Sequence, residues 1–295
     1  MSEPMIRRAR VAAPISDVHH ALTDATALRI WLAEHAEVDL PHRFEFWGRH
    51  TPEGEAPHQR LLHVDDHTLR FSWLLDGEDT TVEIGLAADT EDDSADGDST
   101  IITLSQTHFE FSDAFTGAGI RGVLNTFWAL ALANLVDYLE GREPTPRCDF
   151  TSQQMNAQVL IDTSPEEVFD SLIDSDKTSR WFGCRIDIEP HVGGRYAMGG
   201  VDAHPHPAKI LDLEPGRRLS VDWGGPGVTT WELDGTDGAT RLTLIQSGFD
   251  TQEPPYAAWS GILAGLAELR RFHDLPHWRP IWLSYDLPDT TTING

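Results

Sequence analysis

Few side chains in this chain are of a type and spacing that could do chemistry, and the imidazoles come first. His108 lies two residues beyond Gln106. On a continuing strand the two would share a face, and an imidazole there could carry a proton near neutrality. His204 and His206 stand between prolines, and His191 precedes Gly193-Gly194. Zinc needs three or four ligands with supporting hydrogen bonds. No Cys or carboxylate falls at such a spacing, so the His-Pro-His-Pro run reads as a surface loop. In the acidic run from Glu91 to Ser99, residues Asp92, Ser94, Asp96 and Gly97 fill the first, third, fifth and sixth places of a calcium loop. The twelfth place is Thr103, inside an expected strand, where a bidentate Glu is required. The run reads as a solvated turn, and neither a metal nor a cofactor is expected. The two cysteines, Cys148 and Cys184, make no disulfide framework, and Cys184 has no base partner. A Gly-x-Ser-x-Gly elbow is absent from the sequence. No catalytic constellation emerges.

The aromatic residues offer a different chemistry. There are ten tryptophans, and Trp73, Trp128, Trp223, Trp231 and Trp259 fall on strand or long-helix positions expected to face inward. They would either fill a core or wall an apolar pocket, leaving indole N–H groups for a polar ligand atom. Phe44 and Phe46, with their equivalents Tyr196 and Met198, belong to the same set.

The elements that position them occur twice. A shift of 150 residues superposes Val18, Leu22, Asp24 and Trp31 on Val168, Leu172, Asp174 and Trp181, and Trp73 on Trp223. A shift of 140 carries Gln106 onto Gln246, the difference being the acidic loop, and a shift of 131 carries Trp128 onto Trp259. Collinear blocks of this kind mark a duplicated domain. The expected division is 1–141 for the first domain, 142–154 for a linker, 155–273 for the second, and 274–295 for an aromatic, proline-rich tail. Each half reads as a strand, two short helices, about six alternating strands and one long helix. That is an α+β domain in which a curved antiparallel sheet wraps a C-terminal helix. The tail is too apolar to float free and is expected to pack on a domain or on a second chain.

Composition excludes several classes of function. With Lys+Arg 22 and Asp+Glu 48 the formal charge is −26, which repels nucleic acid and anionic lipid. The densest apolar stretch, Gly122 to Val136, is broken by Asn125 and Asn134 and falls short of the roughly 20 residues of a bilayer span. A reduced cytoplasmic compartment, with no nucleic-acid or membrane partner, is expected.

Val168-Phe-Asp-Ser-Leu172, Trp181-Phe182, Gly193-Gly194-Arg195-Tyr196, Leu219-x-x-x-Trp223, Leu242-Thr-Leu-x-Gln246-Ser-Gly-Phe249 and Trp259 appear in that order. The ordered set resembles the activator of heat-shock-protein-90 ATPase homologue family. That family is a branch of the SRPBCC superfamily, with the START or Bet v 1-like helix-grip fold. The resemblance covers nearly all of 156–273 and, more loosely, 8–140, where His42-Arg43 replaces the Gly-Gly pair. It implies a cavity between sheet and long helix. Tyr196, Met198, Trp223, Trp231, Gln246, Phe249 and Trp259 would line it in the second domain. In the first the lining would be Phe44, Phe46, Trp73, Gln106, His108 and Trp128. Members often carry His where this chain has Gln106 and Gln246, so the usual proton carrier is missing. Three functions stay open. The leading one is binding of a small hydrophobic or aromatic molecule. The others are a co-chaperone-like module acting on a heat-shock-protein-90-type ATPase, and a cyclase-like or hydratase-like enzyme using His108.

Overall fold

A computed structural model describes residues 4–90, 99–107 and 119–283. His108 and the acidic run 91–98 lie outside the described residues, as does the tail beyond Leu283.

The first domain begins with strand β1 (Met5–Val11), whose alternate residues are buried, followed by helices α1 (Ile15–Thr23) and α2 (Ala25–Trp31). Asp24 caps α2 by accepting from the Ala27 N–H, a contact worth about 1 kcal/mol to a helix start. Six strands follow: β2 (His35–Asp39), β3 (Arg43–Trp47), β4 (Gln59–Asp65), β5 (Thr68–Leu75), β6 (Glu78–Ala88) and β7 (Thr100–Gln106). Helix α3 (Gly119–Leu139) closes the unit. The second domain repeats the order with β8 (Met155–Ile161), α4 (Pro165–Ile173), α5 (Ser175–Phe182), β9 (Ile186–Ile188), β10 (Arg195–Met198), β11 (Ala208–Glu214), β12 (Arg218–Asp222), β13 (Val228–Thr236), β14 (Ala239–Ser247) and α6 (Tyr256–Asp274). Both are helix-grip units, each an antiparallel sheet folded round its long helix.

Equivalent side chains do equivalent work in the two halves. The Trp31 indole donates to the Ala21 carbonyl (3.0 Å) and the Trp181 indole to the Ser171 carbonyl (2.8 Å). Thr100 and Thr240 both donate from the last long strand, to the Ala13 and Thr163 carbonyls (2.7 Å each). Asp174 caps α5 as Asp24 caps α2.

The sheets differ at one edge. The second runs unbroken in the order β8-β14-β13-β12-β11-β10-β9, whereas the first stops at β4 and leaves β2-β3 as a separate hairpin. In the second, a Cβ on Gly194 would lie 2.0 Å from the Glu189 carbonyl oxygen, so only glycine fits this turn. In the first, with Gly-Gly replaced, the Gln59 side chain ties β3 to β4 by accepting from the Phe46 N–H at 3.1 Å.

The long helices pack on each other as well as on their sheets. Gly261 brings α6 so close to α3 that a Cβ there would meet the Thr126 methyl at 3.1 Å. The apolar stretch runs further than the sequence reading expected. Gly122–Leu139 is long and apolar enough to cross a membrane by length and composition, but it is largely buried between sheet and partner helix. The tail crosses back to the first domain. Arg10 N–H donates to the Ile281 carbonyl (2.7 Å), Leu283 N–H to the Arg8 carbonyl (3.1 Å), and Trp282 forms a bridge with Ala9 on β1.

Candidate functional site

Strand alternation decides which side chains meet α6. On β13, Thr229, Trp231 and Leu233 turn inward, and on β14 so do Leu242, Leu244 and Gln246. Trp259 meets them from the helix and Tyr196 from β10, within one apolar cluster. Tyr196 packs edge-on against Trp223 with ring centroids 5.3 Å apart. At the open end of these strands runs a polar chain. The Trp223 indole donates to Thr229 Oγ1 (2.8 Å), Thr229 donates to Gln246 Oε1, and Gln246 Nε2 donates to the Pro226 carbonyl (2.6 Å). Gln246 is therefore committed to its own sheet.

Three polar atoms on this face are left over. Tyr196, Trp231 and Trp259 are 7%, 8% and 4% exposed. Neither the Tyr196 hydroxyl nor the Trp231 and Trp259 N–H groups have a hydrogen-bond partner among the described residues. Their rings are buried, but these three atoms are not sealed, so water or a ligand can reach them. Burial pushes the Tyr196 hydroxyl up beyond its ordinary range, so it acts as a donor and not as a base.

The first domain is built differently. Phe44, Phe46, Phe71, Trp73, Phe127 and Trp128 stack on one another with centroids 5.0–6.0 Å apart. Trp128 donates to Gln106 Oε1 (2.7 Å), and Gln106 Nε2 donates to Thr80 Oγ1 (3.1 Å). Trp73 is sealed at 0% exposure with its N–H unpartnered. The candidates Phe44, Phe46, Trp73, Gln106 and Trp128 thus pack against one another. Phe71 and Phe127 complete the filling, and their strand and helix stripes were the signal for it.

Met198 departs from its expected place. It shares the parity of Tyr196 but ends β10 beside Gly199-Gly200 and is 52% exposed. Phe249 lies half-buried at the end of β14, packed against the second core. His204 and His206 stand in an exposed loop. Among the described residues, no group of three or more His, Cys, Asp or Glu side chains is placed to hold a metal. Burial pushes the Cys148 thiol up to about 12 and raises that of Cys184, so neither is an activated nucleophile.

No protein of curated function matches the sequence. Among solved structures, a conserved protein of unknown function from Enterococcus faecalis is 22% identical over 44% of this chain and 75% of its own, with a TM-score of 0.37. CalU16 from Micromonospora echinospora is 25% identical over 48% of this chain and 77% of its own, at a TM-score of 0.36. DynU16, a protein of the dynemicin biosynthetic locus, is 18% identical over 91% of this chain and 97% of its own, also at 0.36. Residues 162–270, which make up most of the second domain, match the family of Activator of Hsp90 ATPase homolog 1-like proteins.

Proposed function

We propose that the second domain binds a small hydrophobic or aromatic molecule between its sheet and α6, in a cytoplasmic protein. In this reading the first domain is a diverged copy of the same family that serves as its support. The observation that carries the reading is a set of three aromatic side chains in one apolar cluster, Tyr196, Trp231 and Trp259, whose rings are buried while their solvent-reachable donors have no protein acceptor among the described residues. An apolar ligand with one or two acceptor oxygens would satisfy them, at about 0.5–1.5 kcal/mol for each hydrogen bond formed. The shared capping and indole contacts of the two halves support the first domain's descent. Its stacked rings support its structural role.

Titration with Nile red, a neutral aromatic dye, tests the binding. Saturable uptake by the whole chain is expected, and it should be lost in Trp231→Ala and Trp259→Ala proteins that keep their far-UV spectrum. Absence of saturable uptake, or uptake indifferent to both substitutions, contradicts the reading.

The family match brings a second reading, docking on a heat-shock-protein-90-type ATPase. With a net charge of −26 the contact would run through a basic patch on the partner. Capture of such an ATPase should then fall steeply with added salt.

A further inference from the structure

One groove inverts the chain's charge balance. It lies between the domains and encloses about 560 Å³, within the range of small-molecule sites. Its floor is the linker from Glu143 to Arg147. One wall carries Ile30 of α2 and His50, and the other carries Leu160 of β8 and Arg241 of β14. The lining holds three arginines, Arg147, Arg241 and Arg270, against one carboxylate, Glu143, in a protein with 48 acidic and 22 basic residues.

Two of the three guanidinium groups are available. Arg147 spends one nitrogen on the Arg29 and Ala33 carbonyls at the end of α2 (3.0 and 2.7 Å). Neither it nor the exposed Arg241 has a carboxylate at ion-pair distance among the described residues. Arg270 is 6% exposed and pairs with Asp137 at 2.6 Å, yet its Nε–H has no partner. The His50 imidazole is held below its ordinary range by burial and by the Arg147 and Arg49 charges, against the opposing pull of the Cys148 carbonyl and Asp149.

The floor is also rigid. Asn134 of α3 clamps Thr145 through both backbone groups (2.9 and 3.0 Å), and His50 holds the Cys148 carbonyl at 2.9 Å. Ile30 and Leu160, 43% and 57% exposed, supply apolar surface on the two walls, and Pro144 and Pro146 supply it on the floor. A preformed cationic and apolar groove loses little ordering entropy on binding.

We propose that this groove binds an amphipathic organic anion, with its head paired to Arg147 and Arg241 and its hydrocarbon body laid on Ile30, Leu160 and the linker prolines. The site is separate from the concave face of the second domain and does not depend on it.

Calorimetric titration of the full chain with decanoate, decyl phosphate and decanol tests this. At least one of the two anions should bind, at least tenfold tighter than decanol, and whichever binds tighter identifies the head group. Arg241→Gln removes an exposed charge without disturbing the fold and should weaken that anion about tenfold. Trp231→Ala should leave it unchanged, which separates this site from the Nile red site. Failure of both anions to bind, equal binding of decanol, or an affinity indifferent to Arg241→Gln overturns the proposal.

Discussion

Glu268 lies on α6 where the returning tail crosses, 2% exposed, accepting from the Ile281 N–H at 3.1 Å and more weakly from the Trp278 indole at 3.4 Å. Burial raises its pKa from the ordinary 4.5 to about 7, with Asp137 adding to the rise and Arg271 opposing it. A carboxyl whose folded pKa exceeds its unfolded one binds its proton more tightly in the folded state. Its stabilising contribution is therefore complete below pH 4.5 and is lost as pH rises through 7. That rise corresponds to about 3 kcal/mol. Of that, about a quarter is already lost at pH 5 and nearly all by pH 8. Glu268→Gln keeps an acceptor for Ile281 and cannot ionise. Urea denaturation of both proteins at pH 5 and pH 8 isolates the carboxyl, because every other titrating group cancels in the difference. The Gln protein should gain on the wild type by about 2 kcal/mol between the two pH values. A difference that stays constant across the range, or that moves the other way, refutes the raised pKa of Glu268 at the tail contact.

Asp137, fully buried on α3, pairs with Arg142, Arg270 and Arg271. Asp137→Ala should cost about 3–5 kcal/mol in denaturant unfolding by stranding buried Arg270, since Arg142 and Arg271 keep Asp274 and Glu140, and a loss below 1 kcal/mol would show that the cluster contributes little. Gln106→Leu should cost about 1–3 kcal/mol by leaving the buried Trp128 indole without its acceptor, while Thr80 keeps its bond to the Trp73 carbonyl, read as a shift in the thermal midpoint. Gly194→Ala should open the hairpin between β9 and β10, seen as faster amide exchange at Ile210, whose N–H donates to the Gly194 carbonyl at 2.9 Å. Unchanged exchange there would mean that the turn yields at no cost.

Local physics made much of this fold legible. Asp24 and Asp174 recur in the repeat because a short carboxylate before a helical run can accept an orphan N–H. Trp31 and Trp181 recur because each pins its helix pair through one indole bond, a demand that survives divergence of the surrounding sequence. Strand alternation placed Trp231, Gln246 and Trp73 on inner faces. It could not distinguish an occupied face from an open one, since that depends on which rings arrive from other elements. Phe71 and Phe127 pack with Trp73 in the first domain, and the second domain brings Trp223 against Tyr196. Met198 sits at the inward parity but is exposed because its strand ends there, and a strand end is invisible to periodicity. Least legible was the far side of the long helices. Asn134, Asp137, Arg270 and Arg271 look like solvated positions until two helices from different domains are laid together. The groove over the linker exists only once that has happened.

Native mass spectrometry of the protein as purified, followed by solvent extraction, bears most directly on the second domain as a ligand-binding grip. The account predicts an added mass of a few hundred daltons that is lost in Trp231→Ala and retained in Arg241→Gln. A bare chain mass, together with no saturable uptake of Nile red, would contradict it and leave Tyr196, Trp231 and Trp259 as packing alone.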